Sequence, residues 1–293
     1  MVFSGYNLPM SNPISILKSN GTKELFDESK LVNSLKRVGT KPDVIEAIVG
    51  EVVGGMRDGM TTADIYNQAF DLLREQHHHK TAIRYSVRRA LFDLGPDGFP
   101  FERFVARIFR LWGYETLTDQ MLLGTCVEHE MDVVAWKGEE LSMVEAKFHN
   151  EFGLKSDLKV VLYVKSRFDD LSETIFDFGG QPRKLSSKGR WLVTNTKFTD
   201  VAVKYGECNN INMIGWNYPN KGNLHEIIED NGLHPVTCLS TLTRQQKQDI
   251  IGRNILTCID VVGQPGILKE IGVRGEQAEQ VLTEAQMVVE QMK

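Results

Sequence analysis

Apolar positions between residues 14 and 95 recur at helical spacing after one short alternating stretch. Ile14 to Lys18 alternates as a strand, Ser19-Asn20-Gly21 supplies a turn and Lys23 to Phe26 returns, which predicts a small β-hairpin. Leu31, Leu35 and Val38 form one stripe, and Ile45, Ile48, Val49 and Val52 a second, so two amphipathic helices follow. Thr62 is placed to cap a third helix carrying Ile65, Ala69, Leu72 and Leu73. A fourth, Thr81 to Asp93, carries Ile83, Val87 and Leu91. Gly95-Pro96-Asp97-Gly98 breaks helix and strand alike and is expected to be a linker.

The period changes after that breaker. A helix over Phe101 to Trp112 comes first. Asp132-Val133-Val134-Ala135-Trp136 and Met143-Val144-Glu145-Ala146-Lys147-Phe148 then read as two strands folded back on each other through Lys137 to Glu140. A helix near Leu158 to Asp170, an apolar strand Trp191 to Thr194, a helix near Thr199 to Glu207 and a last strand Ile211 to Trp216 complete the pattern. Strands alternating with helices predict an α/β domain with a mixed sheet flanked by helices. The remaining residues look all-helical, with turns at Gly263-Gln264-Pro265-Gly266 and Ile271-Gly272-Val273. Three domains are therefore expected, over 14–95, 99–235 and 236–293.

The hairpin at 132–147 carries the most specific chemistry. Strand alternation places Glu145 and Lys147 on one face, with Val144, Ala146 and Phe148 on the other. The returning strand brings Asp132 to meet Glu145 at one end. Two carboxylates there suit a hard divalent cation, and the adjacent lysine suits a developing phosphate charge. An isolated E-x-K is more often a solvated strand face, and Glu102 in an amphipathic helix is as readily a surface residue. His149 either assists proton transfer or is a hydrogen-bonded bystander; His129 is weaker still. Trp112 and Trp136 read as core.

Charge limits the partners. The chain has 293 residues and a net charge of -5, so any nucleic-acid surface is local. Between Gln181 and Lys204, Arg183, Lys184, Lys188, Arg190, Lys197 and Lys204 stand against only Asp200, which suggests a phosphate-facing surface. Lys155, Lys159 and Lys165 recur near helical spacing. Thr194, Asn195 and Thr196, at a strand end, either donate to a phosphate or cap the next helix. Four cysteines without a C-x-x-C suggest neither zinc nor disulfides and fit a cytoplasmic location. No signal peptide and no membrane span is visible. His77-His78-His79 reads as a solvated helix end or loop, with a metal role as the alternative.

Leu17-Lys18-Ser19-Asn20-Gly21-Thr22-Lys23-Glu24, Phe26 to Leu31, Met60 to Ile65 and Tyr85 to Arg89 resemble the ATP-cone, a nucleotide-sensing domain known from ribonucleotide reductases and their repressor. The resemblance spans roughly 14–94. It places Lys18, Glu24, Lys30 and Thr62 at nucleotide-contacting positions and implies ATP or dATP as regulatory ligand. Ser19 and Tyr66 depart from the residues common there, a second basic residue and a histidine. No glycine-rich P-loop occurs, so hydrolysis of the nucleotide is not expected.

Phe101 to Val105, Gly113-Tyr114-Glu115, Asp132 to Ala135, Glu145 to His149 and Trp191 to Thr199 resemble the Mrr-like branch of the PD-(D/E)XK nucleases. Met131 stands where the motif's name has proline, and Glu145 where many Mrr-like members carry glutamine. The resemblance implies that Asp132, Glu145 and the Ala146 carbonyl ligate Mg²⁺, for which Mn²⁺ substitutes. It implies that Lys147 positions or activates the attacking water, and that Glu102 is an auxiliary acid. The tail, Ile267 to Val273 followed by Ala278 to Ala285, is similar either to a helix-hairpin-helix unit or to a packing bundle. The expected protein is a metal-dependent DNA endonuclease controlled by an adenine nucleotide, acting as a homo-oligomer. The alternative is a nucleotide-responsive DNA-binding protein without catalysis.

Overall fold

A glycine turn, caps and a proline set where the N-terminal elements begin. In the computed structural model, which describes residues 14–18, 21–75, 79–151 and 153–290, β1 (Ser15–Leu17) pairs antiparallel with β2 (Lys23–Leu25), Ile16 opposite Glu24. Gly21, at φ 78°, takes the left-handed turn position that favours glycine. Met1 to Pro13, Ser19, Asn20, His77, His78 and the side chains of His79 and Ile83 lie outside the described residues. α1 (Glu28–Arg37) starts where the Asp27 carboxylate accepts from Ser29 N–H, and α2 (Pro42–Gly54) where Pro42 needs no N–H partner. α3 (Thr62–Glu75) is capped by Thr61, not by Thr62 as the spacing predicts. Thr61 Oγ1 accepts from Asp64 N–H at 3.0 Å and Asp64 Oδ2 accepts from Thr61 N–H at 2.9 Å. Only the Thr61 register puts an acidic residue at the third helical position for that reciprocal bond. α4 (His79–Phe92) follows. Leu35, Ile48, Val52, Ala69 and Leu73 are fully enclosed in this first compact unit, which ends at Ser86 within α4.

The second unit begins at Val87. α5 (Phe99–Leu111) is followed by β3 (Glu115–Leu123), β4 (Glu128–Lys137), β5 (Glu140–Lys147) and β6 (Lys155–Ser156). Then come α6 (Leu158–Ser172), β7 (Ile175–Phe178), β8 (Gln181–Lys184), β9 (Arg190–Thr194), β10 (Lys197–Phe198), α7 (Asp200–Cys208), β11 (Asn212–Ile214) and α8 (Leu224–Asn231). Five strands form one mixed sheet in the order β11-β9-β5-β4-β3, antiparallel from β3 to β5 and parallel from β5 to β11. Helices cover both faces. Trp191 meets Phe109 of α5 edge-on at 5.4 Å, and its register partner Val144 therefore lies on the α5 face. On the other face Val134, Met143 and Leu192 pack with Val161, Val164 and Phe168 of α6 and Ala202 of α7.

Strand β3, hairpin β7–β8 and helix α8 are not expected from the sequence pattern. β3 is an edge strand whose residues alternate between half-buried and exposed, so its apolar Leu117, Met121 and Leu123 face outward and blur the pattern. Trp112 is partly exposed rather than core.

The basic stretch is also placed differently from expectation. Arg183 is buried; its Nε donates to Gly138 O at 2.9 Å and its NH1 to the carbonyls of Phe178 and Gln181. Lys184 pairs with Glu173 at 2.9 Å, and Arg190 pairs with Asp169 and donates to Ser172 Oγ. A count of charges along the chain does not register that these cations are already bonded within the fold. Arg183→Ala is accordingly expected to cost about 2 kcal/mol or more of stability, because the buried Phe178 carbonyl and the half-buried contacts to Gly138 and Gln181 lose a charged donor. Chemical denaturation measures that.

The C-terminal helices are α9 (Arg244–Gly252), α10 (Cys258–Gly263), α11 (Ile267–Glu270) and α12 (Gly275–Val289); α9 and α10 start at capping boxes formed by Thr243 with Gln246 and by Thr257 with Asp260. Arg107 of α5 pairs with Asp260 at 2.5 Å, fixing α10 to the sheet domain.

Candidate active site

The β4–β5 ladder closes at Lys137 opposite Glu140 and runs to Val133 opposite Val144. Continuing the register sets Asp132 against Glu145, but there the strands part. Asp132 Oδ2 instead accepts from the Ala146 N–H at 2.6 Å. Glu145 points to the α6 face with Met143, and Lys147, two residues on, shares that side and reaches solvent. Phe148 turns the other way and packs at a tilt against Phe101 of α5, ring centroids 5.6 Å apart. α5 thereby carries Glu102, one residue along, toward Asp132. The structure brings Glu102, Asp132, Glu145 and Lys147 to one end of the sheet, with the Ala146 backbone beside them.

Two groups at this end escape a reading of the sequence. Asp119 of β3 lies between the pairs Thr118–Val133 and Gln120–Met131, hence opposite Asp132. Its φ of 56° is a left-handed conformation that a non-glycine residue rarely holds in a strand, and such strain collects at functional sites. Arg167 of α6 donates to Glu145 and, at 2.9 Å, to the Glu130 carbonyl. Asp119 lies in an edge strand whose apolar residues face outward and hide it, and a single arginine in a charged helix offers no signal either.

Burial, the neighbouring Asp132 and Asp119 charges and a hydrogen bond with Asp119 push Glu102 up to about 8, so at neutral pH its protonated carboxyl donates to Asp119. Asp132 and Glu145 are also held above the ordinary carboxylate range, chiefly by burial, with their mutual repulsion adding for Glu145. The Ala146 N–H and Arg167 oppose the shift at Asp132, and Arg167 and Lys147 oppose it at Glu145; burial outweighs them. Enclosed carboxylates that outnumber the neighbouring cations, beside a backbone carbonyl and a lysine, fit a hard divalent cation. Magnesium needs one or two carboxylates, with water completing its shell. Among the described residues no three His, Cys, Asp or Glu side chains close into a ready-made ligand cluster.

The neighbouring polar residues are committed elsewhere. Asn195 clamps the His149 backbone, accepting from its N–H at 2.9 Å and donating to its carbonyl at 2.8 Å. His149 Nε2 meets Ser156 Oγ at 2.9 Å, and burial, then Lys147, lowers its pKa. Thr194, Asn195 and Thr196 are fully buried, so none is placed to meet a phosphate; Thr199 caps α7. His129 is bonded to Asp170 at 2.8 Å.

In the first unit Glu24 bridges two lysines, Lys18 at 2.5 Å and Lys30 at 3.2 Å. The hydrogen bonds from Lys18 and then Lys30 hold its carboxyl below the usual range. Leu17 bridges Thr61, which brings the start of α3, with exposed Thr62, beside the Lys18 end of the hairpin. The four residues singled out for nucleotide contact thus share one side of the unit.

Residues 14–93 match the family model of the ATP cone domain, and residues 234–289 match that described as AF1548-like, C-terminal. A protein of Archaeoglobus fulgidus, described as uncharacterized, is 36% identical over 186 residues, covering 63% of this chain and 99% of its own. A crystal structure of a protein of unknown function, AF1548, superposes with a TM-score of 0.53 at 33% identity, over 66% of this chain and 99% of that one. The chain belongs to the AF1548-like family. It carries an ATP cone at its N-terminal side, which points to regulation by a bound nucleotide. The helices α9 to α12 fall in the AF1548-like C-terminal match. No helix among the described residues is long and apolar enough to cross a membrane. The descriptions of both relatives leave their activity open.

Proposed function

We propose that this AF1548-like protein is a Mg²⁺-dependent DNA endonuclease of the PD-(D/E)XK type, regulated by ATP or dATP bound to its cone. The observation that carries the reading is the enclosed Asp132–Glu145 pair, raised in pKa, with Lys147 on the same face and the Ala146 backbone alongside. A bound Mg²⁺ would supply Lewis-acid polarisation of the phosphoryl group and a lowered pKa for water. Asp132, Glu145 and the Ala146 carbonyl would hold it. Lys147 places its ammonium where charge grows on the phosphoryl oxygens and orients the attacking water. The water oxygen bonds to phosphorus and gives up a proton to solvent. As it does, the bond to the 3′ oxygen breaks and that oxygen takes up a proton from water, leaving a 5′ phosphate and a 3′ hydroxyl. Glu102, protonated at neutral pH, donates to Asp119 and adds no further negative charge beside Asp132.

In the cone, Lys18 and Lys30 exchange the Glu24 carboxylate for nucleotide phosphates, as ammonium groups do readily. ATP or dATP at a hundred times its dissociation constant should stabilise the folded protein by about 2.7 kcal/mol. Thermal melting of the full chain with each nucleotide reads this, with Lys18→Ala as the variant that loses the shift. Cleavage rates and light scattering on the same samples test whether the nucleotide acts through a homo-oligomer. An absent shift at millimolar nucleotide removes the regulatory half of the reading. Nucleotide-dependent DNA binding without cleavage leaves a regulated DNA-binding protein in its place.

A further inference from the structure

The Arg167 guanidinium is held tightly by partners on three elements. Its NH1 donates to Glu145 and to the Glu130 carbonyl, and its NH2 to the Tyr163 hydroxyl at 2.5 Å. The Tyr163 ring, one helical turn back, lies 4.8 Å from the guanidinium carbon. Arg167 and Glu145 side chains are 11% and 14% exposed. The Arg167 Nε is buried without a partner. An arginine that leaves a buried donor unsatisfied accepts a cost to reach this carboxylate, and the cost is met while nothing else neutralises the acidic pair. A divalent ion between Asp132 and Glu145 would need an oxygen of Glu145 and would stand beside this second positive charge. The two cations compete for one carboxylate.

We propose that Arg167 is the built-in counter-ion of the metal-free site, a positioning residue that holds Glu145 until a divalent cation displaces it. This rests on the reading of Asp132 and Glu145 as the cation site. The arginine keeps the strand end intact without metal and makes metal uptake weaker than the carboxylates alone would allow. Its release also frees a fork of donors, matched to phosphate geometry, at the edge of the site.

The test is Mn²⁺ binding to the full-length protein without DNA, followed by electron paramagnetic resonance of the free ion. Arg167→Gln should bind Mn²⁺ at least about fivefold more tightly than wild type, the low end of ordinary site coupling. Arg167→Lys, which keeps the charge, should stay near wild type, and Glu145→Gln should lose binding. General damage to the fold would weaken binding, so tightening separates competition from a structural role. Equal or weaker binding by Arg167→Gln, with loss in Glu145→Gln, overturns the arginine's role and leaves the cation site standing. Wild-type binding by Glu145→Gln, or no binding by any form, removes the cation site and this inference with it. Tyr163→Phe covers the case in which Arg167→Gln does not fold. Tyr163 is 59% exposed, so its loss spares the core, and releasing NH2 should tighten Mn²⁺ binding by a smaller factor. An unchanged affinity in that variant then overturns the proposal.

Discussion

Asp132→Asn is expected to slow Mg²⁺-dependent DNA cleavage by at least about 10²-fold while raising the melting temperature of the metal-free protein. The two effects have one cause. Asp132 is enclosed near Glu102, Asp119, Glu130 and Glu145, and its charge raises the pKa of both Glu102 and Glu145. Asparagine keeps an oxygen to accept from the Ala146 N–H, so the parting of β4 and β5 survives. What disappears is a negative charge that the proposed cation would use and that its acidic neighbours must otherwise tolerate. Each 1 kcal/mol of relief corresponds to about 2–4 °C in a unit of this size. Differential scanning fluorimetry in EDTA and a cleavage assay in Mg²⁺, on the same preparation, measure both. A variant that melts lower, or that cuts DNA at the wild-type rate, contradicts the assignment of Asp132.

The second large effect is on pH. Glu102, Asp132 and Glu145 all have folded-state pKa values above their unfolded ones, Glu102 reaching about 8. The folded protein therefore binds more protons than the unfolded chain between the ordinary carboxylate range and about pH 8. Stability from these groups is complete at the acidic end and is lost as pH rises through the folded values. The groups facing them are Asp119 from β3, Glu130 from β4, Lys147 from β5 and Arg167 from α6. The metal-free melting temperature should fall from about pH 5 to about pH 8. Glu102→Gln should flatten the upper part of that fall, and Mg²⁺ should reduce it throughout by neutralising the ionised pair. Melting curves across that range in EDTA decide; a curve that rises with pH contradicts the electrostatic account of the site.

The parts of this architecture that can be read from the chain are those where pattern and packing agree. The alternation from Asp132 to Phe148 places Glu145 with Lys147 because both faces of β5 are covered and a one-residue slip would bury the charged face. The stripes at Leu31 to Val38 and Ile45 to Val52 likewise have one apolar side each. Asp119 was hidden because β3 is an edge strand, where exposed Leu117 and Met121 break the alternation and a positive φ breaks the regular backbone. Arg167 was hidden because its role depends on α6 crossing the sheet beside Glu145, a contact between residues far apart in the chain. Arg183 misled in the opposite direction: among Lys184, Lys188 and Arg190 it resembles a surface cation, yet the turn at Gly138 and hairpin β7–β8 enclose it. Charge counted along a segment ignores which carbonyls the fold brings around it.

The most direct test of the central claim is cleavage of supercoiled plasmid by purified full-length protein in Mg²⁺, with ATP and dATP each added and omitted, beside Asp132→Asn and an EDTA control. The account predicts conversion to open-circular or linear DNA with 5′ phosphate ends by the wild-type protein alone, in at least one nucleotide condition. Plasmid left intact by a folded wild-type protein in every condition, or cut equally by Asp132→Asn or in EDTA, would contradict it.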